Sequence, residues 1–184
     1  MSLVIHVRVF VPGANTPSSS IGHYDMIIEG EHPFNGVSLT NPVFSYRASS
    51  RLEVFEESAS PSYYEHGVGQ YYYDCDIYKW TFTLANGNYN GFITALQQVI
   101  NSCEQINGAT KAFRCTLNAS NPFSTYDPKK YNCFHAVAVW LYYFGNYTLK
   151  GIYDAAHDYA YLEYSPQNMA NEYSHLSSWS PYSP

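Results

Sequence analysis

The residue with the clearest chemical promise is Cys133, in the run Tyr131-Asn132-Cys133-Phe134-His135-Ala136-Val137. Asn is a good N-cap, and the apolar stretch after it ends at Gly145, a good C-terminal stop. The spacing predicts a helix from Cys133 to Phe144 with the thiol in its first turn. Backbone N–H groups and the helix dipole favour a thiolate there, where a cysteine pKa of about 8.5 can fall to roughly 3.5–7.5. The rest of the helix is strongly apolar, with Val137, Val139, Trp140, Leu141 and Phe144. It reads as a central buried helix that holds Cys133 at its exposed tip as a nucleophile. The competing reading is a small buried residue at a helix start.

A thiolate nucleophile needs a base near it in space rather than in sequence. His23 is the first candidate, because it follows Gly22 and opens His23-Tyr24-Asp25-Met26-Ile27-Ile28, which reads as a strand. A strand end can present a side chain to a cleft while the strand anchors it. The alternative for a lone histidine is a solvated or core residue. His135 is the rival base, but residues two apart on a helix point in different directions, so packing or hydrogen bonding is expected of it. Tyr24, Tyr131 and Asn132 flank the two candidates and are expected to contact substrate. His6, His32, His66, His157 and His175 are scattered, with no His-x-x-x-His pair on an expected helix, so no metal or other cofactor is expected.

Those residues must be positioned by a chain of 184 residues, which suits one domain and needs no staples to fold. With 46% of residues apolar and 13% charged, intrinsic disorder is excluded. The 20 tyrosines bring apolar bulk with a polar tip, suited to cleft walls and wet surfaces, although compositional drift would look the same. The formal charge is −6 and Lys129-Lys130 is the one adjacent basic pair, which argues against nucleic acid and strongly anionic membranes. No stretch approaches the ~20 apolar residues of a membrane helix, and the start lacks an export-signal pattern. The chain is therefore expected to have no stable membrane insertion and to be cytoplasmic, or exported by a leaderless specialised route. Cys75, Cys103, Cys115 and Cys133 fit neither a zinc ribbon nor a dense disulfide framework. Cys103 and Cys115 could bridge, which spacing alone does not decide, and the chain reads as one that works with reduced thiols.

The first half reads as strands: Val4 to Val11, Gly22 to Ile28, Pro42 to Ala48, and a long aromatic stretch from Tyr71 to Leu84. Ala14 to Ser20 and Ser58 to Tyr64 read as loops. The second half turns helical. Phe92, Ile93, Leu96, Val99, Ile100, Cys103 and Ile106 follow the spacing of an amphipathic helix that Gly108 would stop, which makes Cys103 a core thiol. Ala109 to Lys130 reads as a connector, Ile152 to Tyr164 is ambiguous between strand and helix, and residues 165–184 read as a wrap or tail. The whole, 1–184, is expected to be a single catalytic domain of the α+β class, an antiparallel sheet packed on a central helix that starts at Cys133.

Asn132-Cys133-Phe134-His135-Ala136-Val137 resembles the Asn-Cys-x-His-Phe-Val box of the lecithin:retinol acyltransferase-like proteins, and His23-Tyr24, followed by an apolar strand and Gly30, resembles their His box. The PPPDE isopeptidases are similar, with a His-bearing strand first and an Asn-Cys helix later. Both belong to the circularly permuted NlpC/P60 group of papain-like folds, and the order of motifs here agrees over about residues 20 to 145. The chain departs from the pattern at Asp25, where the acyltransferase box usually has Gly, and in the longer interval after Gly30. The resemblance implies a third polar residue that orients the base. Ser45 is the favoured position, and Tyr46, His32 and Asn41 are the alternatives.

The chemistry so implied is acyl transfer through a Cys133 thioester, with His23 as base and the backbone N–H of Cys133 in an oxyanion site. The first expectation is a cysteine peptidase or amidase acting on a peptide, an isopeptide or a cell-wall peptide, in the manner of a delivered toxin or effector with an immunity or inhibitor protein as partner. The second is a lipid thioesterase, phospholipase or acyltransferase. The third is a non-enzymatic binding module on the same fold, which would bury Cys133 or separate it from His23.

Overall fold

The computed structural model describes residues 2–12, 22–48, 50–59, 75–127, 131–144 and 179–182. Strand β1 (Leu3–Pro12) shows the logic of the fold. Successive side chains of a strand point to opposite faces. Leu3, Ile5, Val7, Val9 and Val11 enter the main apolar core, while His6, Arg8 and Phe10 take the other face. Strands β2 (His23–Ile28), β5 (Pro42–Arg47), β6 (Arg51–Glu56), β7 (Cys75–Leu84), β8 (Ile100–Gln105), β9 (Ala112–Leu117) and β10 (Trp179–Pro181) join it. They form an eight-stranded sheet in the order β10-β7-β1-β2-β5-β6-β9-β8, and every adjacent pair is antiparallel. A separate hairpin, β3 (Glu31–Phe34) with β4 (Val37–Thr40), turns at Asn35-Gly36. Both turn residues have left-handed backbone, φ 49 and 78, the requirement of a type I′ turn.

Two helices, α1 (Tyr89–Val99) and α2 (Cys133–Tyr143), cover one face of the sheet. Phe92 and Leu96 of α1 and Phe134, Val137, Trp140 and Leu141 of α2 pack there against Tyr24, Met26, Phe44 and Val54. β2 and β5 are buried along their whole length, so their far face is covered too. That face holds a smaller cluster of Phe10, Ile27, Val43, Phe55, Ile106 and Ala112 beside several charged residues. The α+β class and the antiparallel sheet packed on the Cys133 helix are as expected. No helix among the described residues is long and apolar enough to cross a membrane.

Three expectations need correction. The apolar stripe from Phe92 does not continue as helix to Ile106: α1 ends at Val99 and β8 begins at Ile100. A register irregularity between Ile100 and Ser102 leaves Ile100 and Cys103 both half-buried and packed on the core, so a bulged strand imitates the three-residue spacing of a helix. The supposed connector after Ala109 contains β9, an inner strand of the sheet. Cys103 and Cys115 are not reduced thiols but a disulfide between directly paired positions of β8 and β9. The expected loop at 14–20 and the ambiguous segment at 152–164 lie outside the described residues, as do most of the 58–64 loop and most of the 165–184 tail; of the tail, β10 forms a sheet edge.

Candidate active site

Asn132 caps α2 as expected, its side chain accepting the backbone N–H of His135 at 3.1 Å. Cys133 is therefore the first helical residue. The backbone N–H groups of Tyr24, Phe134 and Cys133 itself favour its anion. The Tyr24 contribution follows from the sheet. β2 and β5 pair at Met26↔Phe44 and Ile27↔Val43 and no further toward His23, so the two strands have parted where the tip of α2 arrives. Tyr24 packs edge-on against Phe134, 5.2 Å between ring centroids.

The exposed, activated tip is not what the structure shows. Cys133 is 7% exposed. Burial pushes its thiol up to about 11, against the three N–H groups that pull it down, and the Asp25 carboxylate adds to the rise. Losing water costs a thiolate more than a helix tip returns, so Cys133 rests as a neutral thiol at physiological pH.

His23 and Ser45 come together as expected, with His23 Nε2 and Ser45 Oγ at 2.8 Å. Any contact of His23 with sulfur would thus run through Nδ1. His23 pairs with Phe10 across β1–β2, and their rings lie 5.6 Å apart. Alternation along β2 sends the His23 ring to the charged face and Tyr24 to the helix face. The Cys133 sulfur thus meets the backbone next to His23, while the imidazole is held on the other side of the strand. Burial, then Arg47 and Arg8, hold His23 well below 6.5, so it is a neutral imidazole near pH 7.

The other candidates fall elsewhere. Tyr46 donates to the Phe123 carbonyl at 2.8 Å, His32 bonds the Glu29 carbonyl and stacks on Tyr89, and Asn41 accepts from Gly30 N–H and donates to Glu57. His135 is fully buried against Phe134. Of the expected substrate contacts, Tyr24 and Asn132 are buried, the one in the core and the other as the helix cap. Tyr131 is half-buried against Phe123.

Sequence reasoning missed the charged network beside His23. Arg8 grips Asp25 with two hydrogen bonds, Nε to Oδ1 at 2.7 Å and Nη2 to Oδ2 at 2.6 Å. The Arg8 guanidinium also lies over the rings of Phe10 and Tyr182. Glu53 lies between Arg47 at 3.6 Å and Arg114 at 3.3 Å. Asp25, the departure from the resembled pattern, was the available signal: an acidic residue inside an apolar strand demands a cation opposite, and Arg8 in β1 is the paired residue. Among the described residues, no group of three or more His, Cys, Asp or Glu side chains is placed to hold a metal ion.

On the helix face, a partly open cavity of about 110 Å³ lies between α1, α2 and the segment after β9. Its walls include Tyr46, Leu96, Phe123, Ala136, Val139 and Trp140, and no charged residue lines it. Comparison of the chain with protein-family models, curated proteins and solved structures finds no match.

Proposed function

We propose that the chain is a cysteine-dependent hydrolase of peptide-type amide bonds, working on a permuted papain-like arrangement with Cys133 as nucleophile and His23, oriented by Ser45, as base. The observation that carries this reading is Cys133 as the first residue of a helix capped by Asn132, where backbone N–H groups favour its anion, beside the strand that bears the His23–Ser45 pair. Such donors are worth most when aimed at negative charge that develops during reaction. In the first half-reaction the thiol proton passes to His23, the S–C bond forms, and the amine leaves carrying that proton. In the second, water attacks the thioester, its proton passes by His23 to the departing sulfur, and the acid is released. The reading requires the start of β2 to turn so that Nδ1 reaches the sulfur. His23 is the first residue of that strand and follows Gly22, at φ 88.

The test is acyl-enzyme trapping. Full-length protein is incubated with a panel of peptide anilides and activated esters, and intact-mass spectrometry follows a thioester on Cys133. Cys133→Ala should abolish the adduct, and His23→Ala should slow its formation by about 10²-fold or more. An adduct unaffected by His23→Ala would remove the base assignment, and turnover by Cys133→Ala would remove the nucleophile.

A second reading, a non-enzymatic binding module, draws on the burial of Cys133 and on the separation of its sulfur from the His23 ring by the strand. It expects no adduct in any condition in which the protein is folded.

A further inference from the structure

The apolar cavity shares a helix face with the candidate nucleophile. Ala136 is three residues after Cys133, so the two side chains sit one above the other on α2, a rise of about 4.5 Å apart. Tyr46, another wall residue, lies near enough that a thiolate at Cys133 would raise the pKa of its hydroxyl. The cavity therefore begins about one helical turn from the sulfur and runs along α2 toward Tyr143. Its polar features are few. The Tyr46 hydroxyl is already donated to the Phe123 carbonyl, and no ionisable carboxylate, amine or guanidinium lines it. A charged group placed there would lose its water with nothing to replace it.

We infer that this cavity is the acyl-group site of the Cys133 reaction, and that it takes an uncharged aliphatic acyl group of roughly four to six carbons. The inference rests on the cysteine-hydrolase reading and adds the substrate class. Size sets the limit. An apolar cavity of about 150 Å³ accepts benzene, and about 110 Å³ is somewhat smaller. A branched aliphatic chain or a short straight one fits, whereas a long fatty chain would project through the open side. Two sources share this chemistry, a short fatty acyl group and the aliphatic side chain of an acylating amino acid such as leucine. In both, the carbonyl must sit at the sulfur while the hydrocarbon enters past Ala136.

The experiment has a binding arm and a reaction arm, both with the full chain. In the binding arm, Cys133→Ala protein is titrated with isovaleramide, hexanamide and N-acetyl-leucinamide, and NMR shifts of Trp140 and Ala136 are followed. Saturable shifts that weaken at least tenfold when Val139→Phe is added would support the site, and a proton spectrum of the double variant checks its fold. Leu96→Ala is the complementary variant, which enlarges the cavity and should favour hexanamide over isovaleramide. In the reaction arm, p-nitrophenyl acetate, isovalerate, hexanoate, decanoate and the N-acetyl-leucine ester are compared for p-nitrophenolate release. The expected result is an optimum at isovalerate or hexanoate, which Val139→Phe shifts toward the acetate ester. Preference for the leucine ester over both would assign the amino-acid source, and the reverse the fatty one. Turnover without dependence on chain length would overturn the acyl-site inference and leave the cysteine reading intact. Saturable binding without any turnover would overturn the cysteine reading and leave an apolar ligand site. Absence of binding in both Cys133→Ala and Cys133→Ala/Leu96→Ala would overturn the inference by itself.

Discussion

Cys133 is a thiol under two opposed influences. Three backbone N–H groups at its sulfur favour the anion, and near-complete burial disfavours it. Burial wins, and the resting species is the thiol. A neutral nucleophile is compatible with catalysis only if a base takes its proton during attack; His23, neutral near pH 7, is in the accepting form, and burial with Arg47 and Arg8 nearby makes it a weaker base than a free imidazole. Cys75, the other cysteine outside the disulfide, is half-buried at the start of β7. Limited iodoacetamide labelling at pH 7 should therefore modify Cys75 first, reversing the order a helix-tip thiolate would give. The Cys133 rate should rise about tenfold for each pH unit as the thiolate fraction grows toward its pKa of about 11. Peptide mapping after labelling at pH 7, 8 and 9 reads both. A Cys133 rate that is fast and flat over that range would mean an already ionised thiol and a different balance of forces at the helix tip.

At the scale of the elements, the disulfide does work that the apolar pattern did not reveal. β8 is an edge strand with much of its surface exposed, and Cys103–Cys115 fastens it to β9 across directly paired positions. The cross-link spans 12 residues, and closing a loop of that order contributes about 3 kcal/mol in the chain-entropy picture. Reduction in mild denaturant should lower unfolding stability by about 2–3 kcal/mol, read as a lower urea midpoint. Amide exchange should quicken first in β8 and far less in β1 or β2. Uniform loss of protection would show that β8 and the inner strands open as one unit. The same strand explains what was legible. β1, β2, β5 and α2 could be read directly, because alternation in Leu3 to Val11, the apolar run after His23 and the Asn132 cap each carry one period. β8 and β9 could not, because the bulge after Ile100 breaks the period and the two strands are stabilised by each other and by a covalent bond. The β3–β4 hairpin was legible in principle from Asn35-Gly36, a dipeptide that fits the turn adopted there. Of the site, Cys133 at a helix start was readable, whereas the His23–Ser45 contact was one of four options that the resemblance left open. The face to which His23 points was not, since alternation fixes only that it opposes Tyr24, and which face α2 covers is a tertiary fact.

At the scale of the whole molecule, the described residues form a sheet with two unlike faces, and the contrast bears on how β2 is held. The helix face is apolar, while the far face buries Arg8, Asp25, His23, Ser45, Arg47 and Glu53 around a small apolar cluster. Burial raises the pKa of Asp25 above its ordinary value, and the Arg8 guanidinium opposes that rise. The pair is therefore conditional: each charge is tolerable only because the other is there. Bidentate geometry in a buried setting holds β1 and β2 in register at the step where His23 and Tyr24 part to opposite faces. Removing one partner leaves an uncompensated buried charge, which costs about 3–5 kcal/mol, whereas replacing both with apolar groups of similar volume is often neutral or stabilising. Arg8→Met alone should lower stability by about 3–5 kcal/mol, and Arg8→Met/Asp25→Leu should recover most of it, measured by urea unfolding at pH 7. Arg8 also lowers the His23 pKa, so in the double variant the imidazole pKa should rise, readable by NMR titration of the His23 ring. If the double variant is as unstable as the single one, Arg8 owes its place to its guanidinium lying over Phe10 and Tyr182 rather than to its pairing with Asp25. If stability recovers and the imidazole pKa stays where it was, Arg47 and burial alone set the protonation of His23.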